Sequence, residues 1–343
     1  MTPPAETRRT ALLQSQRFQD HDTGSHPENA TRLQAIAAAL DREQAHVIRP
    51  EIPFGPASDE ALMRVHDARY VAGLRDFTAQ GGGWLDADTY AGPDSFQIAA
   101  LGAGAGVAAV DAVLDSVVQR AFVLCRPPGH HATPQRGMGF CLFNTVAVAA
   151  EHALDRGIER VLIVDWDVHH GNGTQDAFYD SDRVLFCSLH QSPLYPGTGA
   201  AYEQGEGAGL GYTLNVPLPA GTDDARYLAA FDEFVVPAAN AFQPQMVLIS
   251  AGFDAHQRDP LANLRLTTSC FAALAERVAK IANDHAEGRV IAILEGGYDP
   301  PALAESVLAV LAILDADDAL LSPGAEKVSA GTITPEQSTQ SET

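Results

Sequence analysis

VLIVDWDVHH, residues 161–170, places an unbroken apolar run directly before two carboxylates and two imidazoles. The run Val161–Trp166 lacks polar alternation, which is the pattern of a parallel strand covered on both faces. Comparable runs stand at Ala121–Cys125 (AFVLC), Val184–Leu189 (VLFCSL), Met246–Ser250 (MVLIS) and Val290–Leu294 (VIAIL). Helical periodicity fills the intervals 95–119, 141–157, 223–241 and 267–286, and cap-like residues open several of them, such as Thr222-Asp223-Asp224 and Thr267-Thr268-Ser269. Strand–helix alternation of this kind predicts an α/β domain built on a parallel sheet. Ligands of such sheets bind beyond the carboxyl ends of the strands. The polar residues gather at those ends: Asp165, Asp167 and His169 after VLIV, Asp254 after MVLISAGF, His130-His131 after AFVLCRPPG, and Glu295-Gly296-Gly297-Tyr298 after VIAIL.

If the chain continues extended past Val164, its period of two turns Asp165, Asp167 and His169 to one side. Carboxylates left unpaired behind an apolar strand are costly, so the pattern reads as a partial metal site. A catalytic zinc site keeps three protein ligands and one open position. Asp167 and His169 supply two, and Asp254, from another strand, is the natural third. Asp165 then supports these ligands or holds a different ion. Amide hydrolysis beside such an ion needs a base for water and an acid for the leaving amine, which a histidine pair can provide. Arg126-Pro127-Pro128-Gly129 fixes the backbone that presents His130 and His131. The glycine pair before Tyr298 permits a turn that places its phenol near a developing oxyanion.

The bulk properties narrow the partners. Of 343 residues, 46% are apolar, enough for a sizeable core, while 44 acidic against 22 basic residues give a formal charge of −22. That charge repels nucleic acids and anionic membranes and suits cationic partners. The four cysteines, Cys125, Cys141, Cys187 and Cys270, show no paired spacing and read as buried thiols of a reducing compartment. No signal peptide and no membrane span is expected, so the reading is cytoplasmic. Residues 1–9 read as a flexible N-terminus, 10–320 as one catalytic domain, and the Ser/Thr/Gly/Pro-rich 321–343 as a disordered tail.

VLIVDWDVHHGNGTQDAF (161–178) resembles the metal-binding segment of class II histone deacetylases and their bacterial homologues. So do HDTGSHPENATRL (21–33), RPPGHHA (126–132), GMGFCLFN (137–144), SLH (188–190), YPGTG (195–199), LNVPLP (214–219), SAGFDAH (250–256) and LEGGY (294–298), in the family's order over about residues 10–315. The resemblance implies the arginase–deacetylase α/β fold, with a central eight-stranded parallel sheet flanked by helices. It implies one zinc ion per chain on Asp167, His169 and Asp254, with ferrous iron as the competing metal. Asp165 would orient His130, and Asn172 would contact His131. Class I members carry an aspartate where Asn172 stands. On this pattern His131 is the principal general base and acid, His130 its electrostatic partner, and Tyr298 polarises the acyl carbonyl. Structural K⁺ or Na⁺ is implied at a first site of Asp165, Asp167, His169, Ser188 and Leu189, and at a second of Phe178, Ser181, Val184 and Tyr212.

The implied acyl-lysine channel is lined by Gly139, Phe140 and Tyr195. Asp86 stands where some relatives hold the substrate backbone, with Asp88 the competing choice. Polyamine-selective relatives carry a glutamate just after the Asp-Pro dipeptide of the third-ligand loop. Here Leu261 follows Asp259-Pro260, and a leucine cannot pair with a secondary ammonium. Acyl-lysine in a peptide or protein is therefore expected over an acetylpolyamine or another small acylated amine, and a homo-oligomer is compatible with either. A manganese ureohydrolase would need a second aspartate close to Asp254, which Gly252-Phe-Asp254-Ala-His256 lacks. A catalytically silent acyl-lysine binding module would be free to lose a ligand, the histidine pair or Tyr298, and all are present.

Overall fold

The computed structural model describes residues 10–43, 45 and 49–316. The expectations for 1–9 and 321–343 fall outside them. In chain order the strands are β1 (Ala11–Gln14), β2 (Gly83–Trp84), β3 (Tyr90–Ala91), β4 (Arg120–Leu124), β5 (Val161–Asp165), β6 (Val184–Gln191), β7 (Thr213–Leu218), β8 (Met246–Ala251) and β9 (Val290–Leu294). Seven of them form one sheet in the order β1-β4-β9-β8-β5-β6-β7, every pair parallel. The strands β4, β5, β6, β8 and β9 are buried along their whole length. Helices Ser95–Leu114 and Thr145–Asp155 pack together as one covering group, and Thr31–Arg42, Thr268–His285 and Pro300–Leu314 as another.

Seven strands, not eight, make the sheet among the described residues. Beside β1, residues 49–56 border a cleft with Leu12 and Gln14, but Pro50, Pro53 and Pro56 interrupt them. Proline has no N–H to give to a ladder, and none of residues 49–56 joins the sheet. The β2–β3 pair is a separate antiparallel hairpin. The helix expected over 223–241 is also altered. It runs as Asp224–Ala230, widens into one π turn at Phe231–Val235 and resumes at Val236–Phe242. Pro237 sits in the first turn of the resumed helix and cannot donate backward, which the wide turn accommodates. Ser95–Leu114 is long and apolar enough to cross a membrane by length and composition alone, and most of it is buried between helices and sheet. All four cysteines are free and buried.

Beneath the carboxyl ends lies a buried ion cluster. Arg126 Nε and Nη2 donate to Glu28 at 2.5 and 2.8 Å, and Arg32 Nη1 donates to the same carboxylate at 3.1 Å. Burial alone would raise the Glu28 carboxyl, but the two guanidiniums outweigh it and hold it down to about 2. A folded-state value below the ordinary 4.5 gives stability that is present above 4.5 and is lost as pH falls through about 2. Glu28→Gln leaves two buried arginines short of a counter-charge and should cost about 3–5 kcal/mol. Thermal melts from pH 7 to 3 should show a lower Tm for the variant at neutral pH and a shallower acid slope than for the wild type. Coincident curves would remove the cluster from the stability account.

Candidate metal centre and catalytic site

Asp165 ends β5, in register with Ser188 of β6 and Ser250 of β8. Beyond it the chain does not stay extended. Asp165 Oδ1 accepts the Asp167 N–H at 3.1 Å, and Asp167 Oδ1 accepts the His169 N–H at 2.9 Å. Each carboxylate bonds the amide two residues on, the local preference of aspartate that competes with strand pairing. Consecutive turns, not strand alternation, aim these side chains.

Asp167, His169 and Asp254 converge, with donor atoms all within 4.8 Å of one another. His169 Nδ1 lies 3.1 Å from both Asp167 Oδ1 and Asp254 Oδ2. The outer oxygens are fixed by backbone: Gly296 N–H donates to Asp167 Oδ2 at 2.9 Å and Val168 N–H to Asp254 Oδ1 at 2.8 Å. Burial opposes charge on His169, yet the two carboxylates raise it to about 10. Burial, then Asp167, pushes the Asp254 carboxyl up. Two carboxylates and one imidazole, buried and convergent, form a donor set short of positive charge. That set fits a divalent ion with a fourth position left open. Gly252 and Gly296 make the convergence possible, since a Cβ would stand 2.1 Å from Asp167 Oδ2 at the first and 2.3 Å from Asp254 Oδ2 at the second.

The histidine pair follows β4. His130 Nδ1–H donates to Asp165 Oδ2 at 3.0 Å, and His130 Nε2 is 3.7 Å from Asp167 Oδ1. His131 Nδ1–H donates to Asn172 Oδ1 at 2.8 Å. The rings are 4.0 Å apart between centroids, but their surroundings differ in charge. Burial opposes the His130 cation, yet Asp167 and Asp165 hold it well above its ordinary value. His131 is pushed well below by burial and then by His130 and His169. With Nδ1 committed to Asn172, His131 Nε2 is the basic atom. Two adjacent groups driven apart in this way suit distinct acid–base roles.

Tyr298 stands beyond the glycine pair, its ring edge-on to Phe140 at 5.8 Å and beneath the Arg32 guanidinium at 5.0 Å. Burial keeps its phenol well above the ordinary range, hence protonated and a donor. Phe140 and Tyr195 border the site from two separate loops, Tyr195 edge-on to His131 at 5.1 Å and to His169 at 6.2 Å. Gly139, at φ 56°, packs against the His131 ring where a Cβ would lie 2.5 Å from it. Asp86 is exposed in the turn between β2 and β3, where one of its oxygens accepts the Asp88 and Thr89 amides. Asp88 is part-buried beside it, its carboxyl raised by burial and by Asp86. Leu261 is part-buried, its amide donating to Asp259 at 2.9 Å. Ser188 and Leu189 sit in β6 beside the end of β5, where Ser188 Oγ pairs with His190 and the Leu189 carbonyl accepts from Tyr227. Phe178 ends the helix Asn172–Phe178 and accepts from Ser181. Val184 opens β6, and the Tyr212 carbonyl accepts from Phe186.

Two residues have roles that the sequence alone does not announce. Glu295 Oε2 accepts the Gly129 and His130 amides at 2.6 and 3.1 Å and so fixes the histidine loop, while burial raises its carboxyl to about 7. His26, inside the N-terminal loop, packs edge-on against Phe140 at 4.4 Å. Only the fold brings Glu295 to Gly129 or His26 to Phe140.

The Histone deacetylase domain model matches residues 26–314, well over half of the chain. The chain belongs to the histone deacetylase family. It is 47% identical over 259 residues to a histone deacetylase-like amidohydrolase of Pseudomonas aeruginosa, covering 75% of this chain and 68% of the relative. To a probable deacetylase of Archaeoglobus fulgidus it is 42% identical over 292 residues, covering 84% and 81%. A human relative named polyamine deacetylase HDAC10 is 41% identical, over 84% of this chain but 45% of its own length. The crystal structure of the HDA15 HD domain superposes with a TM-score of 0.84 at 37% identity, covering 90% and 89% of the two chains. The architecture is therefore the arginase–deacetylase fold, and the activity class is that of a deacetylase, an amide hydrolase acting on acetyl groups.

Proposed function

We propose that this family member is a zinc-dependent lysine deacylase that removes acetyl or related acyl groups from lysine side chains of peptides or proteins. The observation that carries the reading is the convergence of Asp167, His169 and Asp254 beside a histidine pair whose Nδ1 atoms face Asp165 and Asn172. A divalent ion on those three residues would acidify water and polarise the acyl carbonyl. His131 Nε2 takes a proton from the attacking water. His130, held positive by Asp165 and Asp167, stabilises the negative charge that develops. The Tyr298 hydroxyl donates to the carbonyl oxygen as it becomes an oxyanion. His131 then returns its proton to the lysine nitrogen as the C–N bond breaks, leaving a carboxylate and a free amine. Phe140 and Tyr195 give an aromatic wall for the aliphatic stem of lysine. Leu261 offers no anion to a secondary ammonium, which favours acyl-lysine over acetylpolyamine. Structural K⁺ or Na⁺ at the ends of β5 and β6, and a cytoplasmic setting, belong to the same proposal.

With zinc, the purified chain should release acetate from an acetyl-lysine peptide faster than from acetylated polyamines, measured side by side. The reverse preference would transfer the reading to polyamines. Tyr298→Phe should lower kcat by at least ~10²-fold, the effect of removing one oxyanion donor. An unchanged kcat would take Tyr298 out of the scheme.

A further inference from the structure

The phenol of Tyr298 is useful only if its backbone is held, and two glycines precede it. Neither can be replaced. A Cβ on Gly296 would collide with both metal-site carboxylates, and Gly297 adopts φ 122°. Glycine imposes little preference of its own, so the Gly297–Tyr298 peptide needs outside restraint. It receives it at both ends. Arg32 Nε donates to the Gly297 carbonyl at 2.7 Å, and the Tyr298 N–H donates to Asp259 Oδ2 at 2.7 Å. The second oxygen of Asp259 accepts the Leu261 N–H at 2.9 Å. Asp259 is 8% exposed and has no cationic partner among the described ion pairs, so its two oxygens answer to these amides.

We infer that Asp259 is a positioning residue that clamps the Gly297–Tyr298 peptide and ties the tyrosine to the Leu261 rim of the substrate channel. On the deacylase reading, one carboxylate thereby couples the loop that carries Leu261 to the group that stabilises the oxyanion. An amide at this position keeps one acceptor and turns an NH₂ group against the other N–H. A serine keeps one acceptor without that opposition. Misplacing a reacting group by even about 1 Å can cost ~10²-fold in rate.

The kinetic arm of the test rests on the deacylase reading; the spectroscopic arm does not. The chain has eight tyrosines. With 3-fluorotyrosine incorporated, ¹⁹F NMR gives one resonance for each, and the Tyr298 signal is assigned by its loss in Tyr298→Phe. Asp259→Asn should shift or split that signal while leaving those of tyrosines remote from the site in place, with Asp259→Ser intermediate. In kinetics, Asp259→Asn should lower kcat by about 10- to 100-fold with a smaller change in KM. In a Tyr298→Phe background the same substitution should add little, the non-additivity of residues acting through one another. An unmoved Tyr298 resonance overturns the proposal. So does collapse of all eight signals in both Asp259 variants, which would make the residue a general structural one, and so does a full additive kcat loss in the double variant. If the wild-type chain hydrolyses neither acyl-lysine nor acetylpolyamine, the deacylase reading fails and the Tyr298 resonance alone decides the role of Asp259.

Discussion

Asp254→Asn should remove both bound divalent metal and turnover while leaving the fold in place. The substitution is nearly isosteric, and its carbonyl can still accept the Val168 N–H that Asp254 Oδ1 accepts at 2.8 Å. The lost feature is one negative charge and the carboxylate oxygen that faces His169 Nδ1 at 3.1 Å. Two ligands on one short segment, Asp167 and His169, then remain for an ion that needs three. Elemental analysis should fall from about one zinc per chain to near zero, and kcat should drop by at least ~10³-fold, since the Lewis-acid contribution is worth several kcal/mol. Wild-type protein stripped with a chelator should lose activity to the same level and regain it with added zinc. A variant that keeps its metal and its rate would refute the assignment of the triad.

How much of this could be read in the sequence depends on how local each signal is. The five central strands, β4, β5, β6, β8 and β9, declare themselves because burial on both faces makes them uninterrupted apolar runs. The edge strands do not. β1 has four residues, and β7 is only partly buried and contains Pro217, which an edge tolerates because one side of its ladder is unpaired. Asp167, His169 and Asp254 are legible because each follows a strand, and the fold delivers strand ends to one place. The direction of their side chains is not, since turns at Asp165 and Asp167 replace the extended geometry that period-two reasoning assumes. Glu295 and Asp259 act on backbone amides distant in sequence. No residue pattern marks an amide that needs an acceptor. Gly252 is equally silent, its purpose appearing only when a Cβ is placed against the Asp167 carboxylate.

The second large effect belongs to His131. His131→Ala should lower kcat by ~10²–10⁴-fold, the range for a general acid–base group, and His130→Ala by less. The ranking follows from which imidazole is free to accept a proton. Asp167 and Asp165 favour the charged form of His130 against burial, which makes it the poorer proton acceptor of the two. His131, depressed well below 6.5 by burial, His130 and His169, is neutral and basic there. Its protonation should set the acid limb of kcat/KM, which therefore lies below 6.5, and His131→Ala should flatten that limb. Asn172→Asp supplies the sign test. A carboxylate facing His131 Nδ1, where an amide oxygen now sits at 2.8 Å, stabilises the imidazolium and raises its pKa. The base then loses its free form at a higher pH, so the acid limb should move upward while the basic limb gains. A profile measured from pH 5 to 9 in which Asn172→Asp moves the acid limb downward, or in which His130→Ala costs more than His131→Ala, would exchange the roles of the two histidines.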